Sequence, residues 1–282
     1  MNKNKKSIDT TFLSLDHAEQ RGFIHRDYLA HCLRWTHVVK FLQGKAATAD
    51  ILDIGCGREL PMAKMLHSSR NIPHSYTGVD YGPILDVNLG RMKFELHPKT
   101  DFAKWARGMI NDGPQKKFTH IVCFEMLEHV EPAHCIRVLK RMRKLMTDNG
   151  VTIISTPCWN EKDCAANHVN EIKFEALGSV LQHVVGFGID KVYGTFASIA
   201  DYKKDMNNAT EKVFNRLRDY YDVNVLSCIM APLFPAHSRN CLWVLKKNPE
   251  LITKYKFPKL NKVKEPWSSS SKWKDMLPDS QD

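Results

Sequence analysis

Short apolar runs that end in glycine or an acidic residue alternate along this chain with stretches of helical periodicity. ADILDIG (49–55) is an apolar run closed by glycine and predicts a buried strand. LPMAKMLHSS (60–69) predicts a helix, SYTGVDY (75–81) a strand, and KFTHIVCFEM (117–126) another strand. The intervening stretch, 82–117, is rich in Gly and Pro and predicts a loop or a broken helix. PAHCIRVLKRMRKLM (132–146) is amphipathic: Ile136, Leu139, Met142, Leu145 and Met146 share one face and basic residues the other. DNG (148–150) stops it, and VTIISTP (151–157) is again strand. Strands alternating with helices imply a parallel sheet with right-handed crossovers.

Either side of this repeat the rhythm changes. Before it, from about Asp16 to Leu42, Leu29, Leu33, His37 and Val38 recur at helical spacing, with Trp35 and Val39 flanking. After Pro157 a loop leads into a helix (158–184), then a strand (190–197), a helix (200–221), a strand or helix (224–232) and a strand (239–248). The reading is an N-terminal helical extension (1–45), one α/β domain (46–248) and a basic C-terminal tail (249–282) expected to be extended or disordered.

Composition narrows the class. The chain has 282 residues, 43% hydrophobic and 26% charged, enough to bury a full core. No stretch approaches the roughly 18 apolar residues of a membrane span, and no apolar run follows the N-terminal lysines as in a secretory signal, so a cytoplasmic location without a membrane partner is expected. The eight cysteines include no C-x-x-C spacing, so neither a disulfide framework nor a metal site is expected. The net charge is +10, with nine lysines between Lys246 and Lys274 against Glu250 and Glu265. That surplus favours polyanions, or simply solubilises the tail.

The chemistry starts at LDIGCG (52–57), where a strand ends and Gly55 and Gly57 turn the chain toward a helix. Glycines there let the backbone approach a ligand closely. Glu59 stands where a dinucleotide fold has its third glycine, which counts against NAD. Asp80 ends the second strand, 23 residues after Gly57, where a carboxylate can accept both hydroxyls of a ribose. Tyr81 beside it can cover an adenine face. A strand-ending Asp can also merely cap a helix; the glycine turn at this spacing favours ribose.

LDIGCG, VDY, FEMLEHV and STP together resemble the class I S-adenosylmethionine (SAM)-dependent methyltransferases, especially those with an E-x-L-E-H segment after the fourth strand. The resemblance covers residues 45–160 or so. It implies a Rossmann-like, mostly parallel seven-stranded sheet flanked by helices. It also implies that Asp53, Gly55, Cys56 and Gly57 line the methionine part of SAM and that Asp80 holds the ribose. Asp101 and Phe102 would lie by the adenine, and Glu125, Met126 and His129 at the mouth of the site. A fainter likeness, from HRDYLAH to PAHSRNCLWVL, is to bacteriophage and bacterial methyltransferases.

Three stretches flank the expected methyl position. His25, Arg26 and Tyr28, before the sheet, could touch an acceptor or only cap a helix. In TPCWNEKDCAANHVNE (156–171), Trp159 lines the loop and His168 and Glu171 are general-base candidates, with an ordinary capped helix start as the bland reading. In APLFPAHSRN (231–240), His237 and Arg239 could reach a phosphate or carboxylate. FEML stands where amino-methylating DNA enzymes carry N/D-P-P-Y, so a classical DNA adenine-N6 or cytosine-N4 enzyme is not expected. Cys158 follows Pro157, where some RNA cytosine-C5 enzymes place a nucleophile, but reads as a plain loop cysteine. The expected function is SAM-dependent methyl transfer, to a nucleotide or nucleic acid ahead of a small metabolite. The reading from another class is a non-catalytic SAM-binding interaction protein.

Overall fold

The computed structural model describes residues 26–111, 116–161, 164–247 and 255–268. Seven strands form one sheet: β1 (Asp50–Ile54), β2 (Ser75–Val79), β3 (Phe94–His97), β4 (Phe118–Phe124), β5 (Met146–Pro157), β6 (Gly188–Ala197) and β7 (Ser238–Lys246), in the order β3-β2-β1-β4-β5-β7-β6. The first five pair in parallel, and β7 runs antiparallel between β5 and β6. This is the Rossmann-like sheet that the sequence implies.

The continuous apolar runs are explained by burial on both faces. In β1, Leu52 and Ile54 pack into one core and Ile51 into the other. In β7, Cys241, Trp243 and Leu245 alternate in the same way with Leu242 and Val244. A strand covered on both sides has no polar face to alternate with. Helices α1 (Arg26–Leu42) and α2 (Pro61–Ser68) cover one face. The other is covered by α3 (Phe102–Asn111), α4 (Pro132–Leu145), α5 (Phe174–Ser179) and the π-helical turn Val180–Val185. The apolar stripe of α4 is buried as its periodicity predicts.

Other elements differ from the sequence reading. The stretch 82–117 holds an edge strand, β3, and a helix, α3. The single helix expected over 200–221 is α6 (Ile199–Tyr202), a 3-10 turn and α7 (Asn208–Arg218), because Asn207 starts a new helix by accepting the Thr210 amide hydrogen. The ambiguous stretch 224–232 is α8 (Val223–Ile229) with a 3-10 turn. In α1 the buried side is Ala30, Arg34, Trp35, Val38 and Leu42, and Leu33 faces out with 46% of its surface exposed. Among the described residues no helix is long and apolar enough to cross a membrane.

The described part of the tail is strapped to the domain. Leu260 and Trp267 are buried in the core, with Tyr255, Phe257 and Val263 packed against it. Trp267 bridges to Ile172, the Lys173 amide donates to the Pro266 carbonyl, and the Glu171 amide to Ser268 Oγ. Lys256, Lys259, Lys262 and Lys264 face solvent. Trp267 is 2% exposed and so cannot stack a base; Trp273 lies outside the described residues.

Candidate active site

Parallel strands bring the ends of β1, β2, β4 and β5 to one edge of the sheet, where open α/β folds bind ligands. At the end of β1 the chain turns through Gly55 (φ 69°) and Gly57 (φ 74°), backbone conformations that disfavour a Cβ. A Cβ on Gly55 would lie 3.2 Å from the Cβ of Met126, so the loop after β4 closes directly on the glycine turn. Asp80 organises this corner. Its Oδ2 accepts the Gly57 amide hydrogen at 2.8 Å and its Oδ1 that of Gly82 at 2.7 Å. Its carbonyl accepts from the Thr100 amide, joining the loop after β3. Tyr81 is 83% exposed beside it. Asp101 Oδ1 accepts the Lys104 amide hydrogen at the start of α3, and Phe102 is buried against Trp105.

Beneath the glycine turn Asp53 is buried and accepts a hydrogen bond from the Tyr76 hydroxyl. Burial pushes the Asp53 carboxyl up to about 7, the Tyr76 bond pulls against that and the charge of Asp80 adds to it. The Cys56 thiol turns under β2, close to Gly78, and burial holds it well above the usual thiol range. Cys56 is 2% exposed.

The end of β4 carries a denser polar network. Glu125 adopts φ 52° and its carboxylate accepts from Ser155 Oγ at 2.7 Å and Asn240 Nδ2 at 2.8 Å. Arg34, buried on α1, pairs with it at 3.3 Å and also bonds His31 at 2.7 Å. Burial raises the Glu125 carboxyl, but Arg34, His31 and the two donors outweigh it and hold the group below its ordinary value. Glu128, three residues on, is 1% exposed and accepts from Thr156 Oγ1 at 3.2 Å. Burial and the neighbouring Glu125 charge drive its carboxyl well above the ordinary range.

The loop after β5 folds back over this turn. The amides of Val169 and Asn170 both donate to the Glu128 carbonyl. His168 Nδ1 lies 2.6 Å from Glu171 Oε1, and His129 Nδ1 lies 3.0 Å from the Asn167 carbonyl. The two imidazoles stand edge to face with centroids 5.3 Å apart. A titratable dyad and a second imidazole therefore meet a buried carboxylate at the carboxyl edge of the sheet.

A family model described as a methyltransferase domain matches residues 25–186, more than half of the chain. The chain belongs to this methyltransferase-domain family. A search of the curated proteins finds no match. Similar solved structures include a SAM-dependent methyltransferase from Archaeoglobus fulgidus, with 17% identity and TM-score 0.48 over 82% of this chain and 98% of that one. An O-methyltransferase from a trans-AT PKS multienzyme of Brevibacillus brevis, in complex with S-adenosyl-L-homocysteine, shows 15% identity and TM-score 0.48 over 85% and 82% of the two chains. The Haemonchus contortus phosphoethanolamine N-methyltransferase 2, in complex with S-adenosyl-L-methionine, shows 12% and 0.46 over 84% and 60%.

Within this methyltransferase domain the residues singled out from sequence fall into groups. Asp53, Gly55, Gly57, Asp80 and Met126 gather at the glycine turn, and Glu125, His129, His168 and Glu171 at the turn after β4. Trp159 lies under the Lys173 ammonium, 5.3 Å from its ring centre, and Arg239 pairs with Asp201 at 3.6 Å. His237 pairs with Asp205. Cys158 is a buried loop cysteine with a free thiol. Arg26 and Tyr28 belong to the first turn of α1, and His25 lies outside the described residues. Sequence reasoning missed Arg34, Ser155, Asn240 and Tyr76, which are distant in sequence from the carboxylates they serve. It also passed over Glu128, whose i+3 spacing from Glu125 was the available signal.

Proposed function

We propose that this chain is a SAM-dependent methyltransferase whose donor sits against the glycine turn and Asp80. The observation that carries the reading is the corner itself: two positive-φ glycines, with the Asp80 carboxylate tied to the Gly57 amide. A cofactor bearing a ribose and an amino-acid tail fits such a corner. Its hydroxyls take up the remaining acceptor capacity of Asp80, and the tail passes over a turn that has no Cβ in the way. Tyr81, with Asp101 and Phe102, flanks the base. SAM supplies, when bound, a methyl group activated by its sulfonium. The protein's task is then to align the acceptor with that methyl, and alignment alone can supply about 7–11 kcal/mol of the barrier.

His129, His168 and Glu171 serve the acceptor rather than the donor. They lie beyond the ends of β4 and β5, held by the Val169 and Asn170 amides on the Glu128 carbonyl. Trp159, Arg239, Arg26 and Tyr28 are the candidate contacts to the acceptor. The acceptor class favoured is a nucleotide or nucleic acid. Its support is the net charge of +10 and the outward Lys256, Lys259, Lys262 and Lys264 on the strapped tail. Binding of labelled RNA and DNA at two salt concentrations tests this, since each phosphate contact adds about 0.7–0.9 to the log–log salt slope. No binding at low salt would overturn the polyanion reading and leave a small metabolite as acceptor.

A further inference from the structure

We infer that Glu128, His129 and His168 form a binding site for a divalent transition-metal ion. One ligand atom from each of the three lies within 4.8 Å of the others, a span that side-chain rotation can close onto a cation with bonds of about 2.0–2.2 Å. Hydrogen bonds at Nδ1 fix the tautomer of both histidines. His129 Nδ1 faces the Asn167 carbonyl at 3.0 Å and must carry the proton of that bond. His168 Nδ1 faces Glu171 Oε1 at 2.6 Å, where it also donates. Each ring therefore presents a lone pair on Nε2, and Glu171–His168 is the carboxylate–imidazole pairing that fixes metal ligands from behind.

The third ligand is a buried carboxylate. Glu128 is 1% exposed, and its carboxylate accepts from Thr156 Oγ1 and from the backbone at Glu128 itself. Arg34 pairs with Glu125 at 3.3 Å and its charge also reaches Glu128. A buried charge is costly unless it is paired, so a cation against this carboxylate would lower that cost. Asn170, also buried and with neither side-chain polar atom partnered among the described residues, donates its amide to the Glu128 carbonyl, so the cluster's neighbourhood has unused bonding capacity. The identity of the ion follows from the donors. Two imidazoles and one carboxylate suit zinc, iron, manganese or cobalt better than magnesium or calcium, which prefer oxygen shells. Three protein ligands leave coordination positions open, the pattern of a reactive rather than a structural site.

The role of the ion rests on the proposed methyl transfer. A hydroxyl acceptor coordinated at an open position is acidified and releases its proton to bulk water. Its oxygen then forms the bond to the methyl carbon as the carbon–sulfur bond breaks onto sulfur, giving S-adenosylhomocysteine. His168 and His129 thus act as ligands, and Glu171 as a positioning residue.

The test uses the full chain after dialysis against a chelator. Zn²⁺ is titrated by calorimetry and Co²⁺ by its visible absorption, with S-adenosylhomocysteine binding measured on the same samples. One equivalent of metal is expected, without the thiolate charge-transfer band that cysteine ligation would give. His129→Ala and His168→Ala should each weaken it at least tenfold, and Glu171→Gln by about 10–100-fold, while S-adenosylhomocysteine affinity stays within twofold. Absence of a stoichiometric ion in protein that binds S-adenosylhomocysteine would overturn the metal site and leave the methyltransferase reading intact. Undiminished metal binding in the His129→Ala/His168→Ala double variant would also overturn it. Metal binding with this histidine dependence, in a chain that binds no S-adenosylhomocysteine, would support the site and sink the donor assignment.

Discussion

Replacing Arg34 by Met isolates the ion pair that α1 makes with the end of β4. Methionine keeps most of the apolar stem but leaves Glu125 without its cation. Breaking a buried pair in this way costs about 3–5 kcal/mol, because the surviving charge is uncompensated. Two features reduce it here. Ser155 and Asn240 still donate to the Glu125 carboxylate at 2.7 and 2.8 Å, and the Arg34 Nε, buried without a hydrogen-bond partner, is removed. A loss of about 2–3 kcal/mol is expected near pH 8, or on the order of 5 °C in Tm. The pH dependence carries the sign. Arg34 holds the Glu125 carboxyl below its ordinary value, so the pair contributes stability above the unfolded glutamate pKa, about 4.3, and loses it as pH falls through the depressed folded value. Urea unfolding of both proteins at pH 8 and near pH 4 reads this directly. The gap between them should narrow on acidification, and Glu125→Gln in the Arg34→Met background should cost less than it does alone. Equal stability at pH 8, or a gap that does not change with pH, would refute the reasoning.

Other consequences follow from neighbouring groups. The Asp53 carboxyl, raised to about 7, binds a proton in the folded state that the unfolded chain has released, so folding stability falls between about pH 4 and 7 and levels off above. Asp53→Asn should remove that slope, and unfolding curves at pH 4, 6 and 8 that stay parallel to wild type would contradict it. Trp267→Ala should cost about 3–5 kcal/mol in chemical denaturation, as for a buried aromatic in a core; a loss below about 1 kcal/mol would mean that the tail is not an integral strap. Gly55→Val puts a branched side chain at φ 69° with its Cβ 3.2 Å from Met126, and should abolish donor binding in calorimetry more completely than loss of the Asp80 carboxylate.

Legibility in the sequence followed the range of the interactions. β1 and β4 announce themselves because burial on both faces leaves each with an apolar run, DILDI and HIVCF, and β2 and β5 because β-branched and aromatic residues crowd between turn signals. The four residues of β3 at the sheet edge, FELH, have no such run and disappear into a Gly- and Pro-bearing stretch. Residues Gly55, Gly57 and Asp80 stand out because a turn and a strand end are local matters. The buried face of α1 was misread because Arg34 breaks the apolar stripe. It is buried for a charge that lies 91 positions further along, on Glu125, and periodicity cannot register such a partner. The tail reads as polar because lysines separate its apolar residues and leave them no helical or strand period, yet Tyr255, Phe257, Leu260, Val263 and Trp267 suffice to hold its described part.

The central claim is that the glycine turn and Asp80 hold a SAM-type donor. Isothermal titration of the full chain with S-adenosylhomocysteine, repeated on Asp80→Ala, tests it most directly. One equivalent should bind to the wild type, and the variant, folded by circular dichroism, should bind about 5–150-fold more weakly, the equivalent of about 1–3 kcal/mol for losing a charged acceptor to the ribose. Failure of the wild type to bind either S-adenosylhomocysteine or SAM, or unchanged affinity in the folded variant, would contradict the account.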